Sequence, residues 1–263
     1  MEIRHQALNV LQIEDPAQKV VQTQRLWQLH ATGASLDPEM QWDEPMGLPG
    51  RPQHPLLVPP AQVSRRSPFS PEGRAALLHA VAHIEFNAIN LALDAVWRFA
   101  GMPAAYYTDW LRVAFEEAHH FELLADHLAS YGHQYGDFVA HDGLWTMVMK
   151  TAHDITARMA LVPRTLEARG LDATPPMQAR LARAGDQRAV DILEVILRDE
   201  IGHVAIGNHW YRWLCEQQGL DPVSHYRRLA REHGAPRLRA PLNLAARKKA
   251  GFSTEDLASM TEE

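Results

Sequence analysis

One cysteine, Cys215, is the only thiol in 263 residues, which excludes an internal disulfide and any cysteine-rich metal cluster. Cys215 follows Trp210, Trp213 and Leu214 in an apolar helical stretch and reads as a core residue rather than a nucleophile. The N-terminus, Met1-Glu2-Ile3-Arg4-His5-Gln6, lacks a secretory apolar segment, and no uninterrupted apolar run approaches the roughly 18 residues of a membrane span. A cytoplasmic protein with no membrane partner is the expectation. Positive charge is not in excess either. With 26 Lys and Arg against 32 Asp and Glu, the net charge of −6 argues against general nucleic-acid binding, tRNA included. What the chain does have is histidine, 15 residues of it, and an apolar content of 46%, enough for a large core.

Two segments place those histidines beside acids. Phe115-Glu116-Glu117-Ala118-His119-His120 and Arg198-Asp199-Glu200-Ile201-Gly202-His203 both read acid-Glu-x-x-His inside long helical patterns. Residues three apart share a helix face one turn apart, so each segment aims one carboxylate and one imidazole at the same point. A carboxylate-bridged pair of metal ions in a four-helix bundle uses two such helices plus one Glu from each of two more. Glu85 lies 32 residues before Glu117, and Glu167 lies 33 before Glu200. The chain thus repeats a spacing, Glu and then Glu-x-x-His, in two successive helical hairpins. Glu85 interrupts the stripe Leu77, Leu78, Val81, Ile84, Ala88, Ala92, Ala95, Phe99. Glu117 interrupts Trp110, Val113, Ala114, Phe121, Leu124, Leu128, and Glu200 with His203 interrupts Leu193, Ile196, Gly207, Leu214. Buried acids are costly unless paired or metal-bound. Core salt bridges are the alternative for the set, and a single Glu-x-x-His elsewhere is usually two solvated residues.

The expected fold is all-α, with three parts. Residues 1–70 form short helices and a proline-rich arm, 71–219 the four bundle helices, and 220–263 a helical extension packed on the bundle. Asp15-Pro16 and Ser70-Pro71 are N-cap and first-turn signals. Nine prolines between residues 37 and 71 predict an extended arm wrapped on the bundle rather than a helix. The bundle helices are expected at about 71–100, 103–131, 143–169 and 187–218. Asp142 is expected to cap the third helix, Gly170 to end it, and Pro163 to kink it. A turn at Asp172-Ala173-Thr174-Pro175-Pro176 should lead into a short helix to about Ala184. Asp221-Pro222 and Ser253-Thr254 start two further short helices, and the last residues are expected to fray. Residues 226–249 carry eight Arg and Lys, Arg239 among them, most simply a solvated face or a contact to an acidic surface of the same protein, with a patch for a phosphate-bearing substrate as the alternative.

His83-Ile84-Glu85, Glu116-Glu117-x-x-His120-Phe121, Leu166-Glu167-Ala168-Arg169-Gly170-Leu171-Asp172 and Asp199-Glu200-x-x-His203-Val204 resemble a ferritin-like family of bacterial proteins catalogued as a domain of unknown function. The resemblance takes in Pro49-Gly50-Arg51-Pro52 and the tail from Pro241 to Phe252. It implies a ferritin-like bundle and a di-metal centre, but no reaction. A more distant likeness, in the helix-ligand pattern alone, is to the diiron monooxygenase that hydroxylates a modified adenosine in tRNA. Glu85, Glu117 and His120 are expected to hold one metal and Glu167, Glu200 and His203 the other, with Glu117 and Glu200 bridging. Hard oxygen and nitrogen ligands suit iron, or manganese. Asp199 is expected to orient His120, and Glu116 to orient His203, from behind the metal. His83, His119 and Tyr211 are candidates for lining the pocket. The expected function is O2 activation to oxidise or hydroxylate a small organic substrate, with an electron donor that the sequence does not name and a homodimer as a possible assembly. Iron handling by ferroxidase or peroxide-scavenging chemistry, and a non-catalytic metal-binding scaffold, are the alternatives.

Overall fold

The computed structural model describes residues 2–63, 67–238 and 240–261, so Arg239 and the fraying expected of Glu262-Glu263 lie outside the described residues. The protein is all-α. Among the described residues an isolated parallel bridge, Leu57 with Ala140, stands in place of any sheet. The chain forms two compact units, residues 1–143 and 144–263.

In the first unit, α1 (Ile3–Leu11) and α2 (Pro16–Ala31) pack on the long pair α3 (Pro71–Arg98) and α4 (Ala104–Ala129). The starts follow the capping chemistry. The Asp15 carboxylate accepts from the amide of Gln18 ahead of Pro16, and the Ser70 hydroxyl accepts from that of Gly73. α3 is long and apolar enough to cross a membrane, with an 18-residue window of mean hydropathy 1.3, but 78% of that window is buried in the protein and it reads as a core helix. Ile84, expected in its apolar stripe, is instead half exposed, because α3 is enclosed mainly along its other faces.

Two buried cations tie the arm to this helix pair. Arg4 donates to the carbonyls of Val96 and Trp97 at the end of α3, where helical partners run out, and to those of Asp37, Pro38 and Met40 at the start of the arm. Lys19 donates to Leu11 O, Gly50 O and Asn90 Oδ1. Gly50 is needed at that crossing, since a Cβ there would lie 2.1 Å from Gln12 O. Further along, Val58 N donates to Ala140 O, Ala140 N donates to Leu56 O, and Arg51 grips both oxygens of Asp142 at 2.8 Å. These bonds pin the arm to α1, α2, α3 and the segment after α4.

The second unit departs from the expected helices. After α5 (Gly143–Lys150) the chain breaks at 151–154, where Asp154 caps α6 (Ile155–Leu161). Asp142, directly before α5, also takes both its oxygens to Arg51 of the arm. A π turn, Val162–Glu167, follows and runs directly into α7 (Ala168–Arg183). The kink expected at Pro163 takes the form of this widened turn, in which the Thr165 hydroxyl donates to Ala160 O at 2.8 Å. Gly170 does not end the helix, and Pro175 and Pro176 lie within it. A proline cannot donate to the carbonyl four residues back. Leu171 O, left over by Pro175, accepts instead from the side-chain amide of Asn243, 3.2 Å away. A contact 72 residues distant thus carries the helix past a break that local sequence predicts.

Gly185, with φ +78°, turns the chain into α8 (Gln187–Gln217), which Asp186 caps and which packs on α6, the π turn and α7. The helix α9 (Pro222–Glu232) and the tail helices α10 (Leu244–Lys249) and α11 (Thr254–Thr261) complete the unit. The basic segment is only partly a solvated face. Arg247 is fully buried, with three hydrogen bonds to the Asp172 carboxylate and one to Ala168 O.

Candidate metal centre

In the first unit, α3 supplies Glu85 and α4 supplies Glu117 and His120. All three are buried, at 3%, 0% and 0% exposure. Each offers a ligand atom within 4.8 Å of the others. His120 Nδ1 stands 3.1 Å from Glu117 Oε2 and 3.4 Å from Glu85 Oε2. Burial pushes the Glu85 carboxyl well above the usual carboxylate range, the Glu117 charge adds to this, and the His120 contact opposes it. Two acids this close and this dry favour a bound cation, and two carboxylates with one imidazole are a hard, anionic set that suits a divalent metal ion. In an empty centre a proton on Glu85 takes that place.

The second unit repeats part of this. On α8, Glu200 and His203 are buried one turn apart, with His203 Nδ1 3.6 Å from Glu200 Oε1. Glu200 Oε2 is buried and accepts no hydrogen bond among the described residues. Glu167 closes the π turn and is only half-buried. Among the described residues, neither Glu167 nor His203 belongs to a group of three ligand atoms within 4.8 Å.

The candidates around the ligands fare differently. Glu116 is half-buried on α4. Asp199 accepts two hydrogen bonds from the guanidinium of Arg198, its chain neighbour. His119 is exposed, because it follows Glu117 by two residues and so leaves the buried face of α4. Tyr211 is buried but donates to Pro222 O at 2.7 Å, tying α8 to α9 rather than lining a pocket. His83 does line a cavity, under the arm.

Sequence reading missed the residue that anchors the π turn. Arg164, fully buried, donates to Asn208 Oδ1 and Asp256 Oδ1, and its guanidinium lies over the rings of Tyr211, Tyr226 and Phe252. Gly207 of α8 presses on the same turn, since a Cβ there would lie 2.5 Å from Pro163 Cβ. The available signal was an arginine directly after the apolar run Met159-Ala160-Leu161-Val162-Pro163. Its partner Asp256 is 92 residues away.

The fold and the buried acid–imidazole cluster define an all-α protein with a candidate metal site. The chain belongs to the family described as Protein of unknown function (DUF455), which it matches over residues 12–258. It is 54% identical over 213 residues to a protein of Haemophilus influenzae described as "Uncharacterized protein", covering 78% of this chain and 74% of that one. No solved structure matches it.

Proposed function

We propose that this is a metalloprotein in which Glu85, Glu117 and His120 hold one divalent ion and Glu167, Glu200 and His203 hold a second. In this reading Glu117 and Glu200 bridge the ions, and α3, α4, the run α6–π–α7 and α8 make a ferritin-like four-helix bundle. The ions, iron before manganese, would supply the electrons for O2 activation and so oxidise or hydroxylate a small organic substrate.

One observation carries the reading: Glu85, Glu117 and His120 converge, buried, from two helices. Support for the second half is the repeat itself. Each unit has one Glu on the first helix of a pair and Glu-x-x-His on the second, at spacings of 32 and 33 residues. The protein's own task is to hold four carboxylates and two imidazoles in place and keep the centre dry. Burial of Glu85 and Glu117 does this on one side, and Glu200 and His203 share that burial on α8.

The test is anaerobic titration of metal-depleted protein with iron(II), followed by O2. Saturation near two ions per chain and O2 uptake that depends on them is the expected result. Saturation at two ions with slow O2 uptake and iron core formation would replace the oxygenase reading by iron handling, and no saturable binding would overturn the metal reading.

A further inference from the structure

Beneath the arm, the first unit contains a partly open cavity of about 200 Å³. Arg51, Pro52, Gln53, Pro55, Leu56 and Leu57 form its outer wall. His83, Phe86 and Asn87 of α3, with Tyr135 from the loop after α4, form its floor.

The polar groups of the floor pair with one another. His83 Nε2 lies 3.2 Å from the carbonyl of His141 and 3.1 Å from Asn87 Nδ2. His83 Nδ1 and the Tyr135 hydroxyl are 2.8 Å apart. Asn87 is 4% exposed, and its Nδ2 donates to His83 O at 2.8 Å, which fixes the orientation of the amide. No donor reaches Asn87 Oδ1 among the described residues. An amide oxygen on the wall of an open cavity, with no protein donor, is free to accept from a molecule bound there.

Charge is already balanced. Arg51 spends its guanidinium on both oxygens of Asp142, so an anionic ligand would have to break that pair and a cationic one would find no free carboxylate in the lining. The remaining walls are proline, leucine and aromatic, with the neutral amide of Gln53 among them. The volume exceeds the roughly 150 Å³ that accommodates benzene in an apolar cavity. Leu56 and Leu57, at 58% and 41% exposure, are held at the mouth by the backbone bonds to Ala140.

We propose that this cavity is a binding site for a neutral, ring-sized molecule bearing a hydroxyl or N–H donor, with the donor on Asn87 Oδ1 and the ring between Phe86 and the prolines of the arm. The site does not rest on the metal reading.

The test uses the full chain in chelator, titrated with phenol, indole, toluene and benzoate by ligand-observed NMR. Phenol and indole bind, toluene binds roughly tenfold more weakly for want of the hydrogen bond, and benzoate does not bind. Asn87→Leu makes phenol no better than toluene. Leu57→Trp, at the exposed mouth where folding is not at stake, fills the cavity and abolishes binding. No binding by the wild type, equal affinities for phenol and toluene, or phenol binding unchanged in Leu57→Trp would overturn the proposal. If Asn87→Leu does not fold, the probe series and Leu57→Trp decide it alone.

Discussion

His120 of α4 and Glu85 of α3 meet across their helix pair, with Nδ1 3.4 Å from Oε2. In metal-free protein this contact does not offset the cost of burying Glu85 beside Glu117, and Glu85 takes up a proton instead. The isosteric Glu85→Gln removes that cost and leaves the shape unchanged. It is expected to stabilise the metal-free protein by about 1–3 kcal/mol and to abolish the stabilisation that added iron(II) or manganese(II) gives the wild type. Thermal unfolding with chelator and with metal reads both effects. A variant destabilised in chelator would show that the cluster is a structural ion pair.

Gly207 is expected to be intolerant of even one methyl group. A Cβ there would meet the Pro163 ring at 2.5 and 2.6 Å, and the π turn would have to move. Gly207→Ala should cost about 1–3 kcal/mol by overpacking, whereas helix propensity alone would make it favourable. Urea denaturation gives the sign.

Arg164→Met leaves Asn208 Oδ1 without its guanidinium donor and Asp256 with Arg212 and the Ser253 amide alone. The expected cost is about 1–3 kcal/mol, the usual penalty for removing hydrogen bonds to buried polar and charged groups. Since Asp256 lies in the tail, limited proteolysis should release α11 before the rest of the unit opens. Equal protease resistance of variant and wild type would contradict this account of the tail.

Acid should destabilise the first unit above the pH range in which ordinary carboxylates titrate. His79 and His83 both have their pKa lowered to about 4 by burial. Between pH 4 and the ordinary histidine value of about 6.5, the unfolded chain binds more protons than the folded one, so stability falls as pH falls through that window. His79 Nε2 accepts from Gly136 N at 3.0 Å, and protonation forfeits this bond. His79→Gln should flatten the slope between pH 6.5 and 4. An unchanged slope would mean that the histidine is charged in the folded state.

The helices that build the candidate site were largely legible from sequence. α3, α4 and α8 announce themselves through apolar stripes because each is long, and α3 and α8 are also capped locally, by Ser70 and Asp186. The stretch from 143 to 183 was not legible, because distant residues decide it. Asn243 satisfies Leu171 O, and Arg247 satisfies Ala168 O. The convergence of Glu85, Glu117 and His120 followed from spacing and the interruption of apolar stripes. Glu167 had no such local signal, and its half-buried place at the end of the π turn depends on contacts made by Arg164 and Pro163. The cavity floor was hidden too, since Asn87 and Tyr135 look unremarkable until the arm is laid over them.

Metal content of the purified protein, measured beside the Glu117→Ala, Glu200→Ala double variant, tests the central claim most directly. About two irons per chain in the wild type, lost in a folded double variant, is the result this account predicts. A wild type that carries no metal and binds none when supplied with iron(II) or manganese(II) under anaerobic conditions would contradict it.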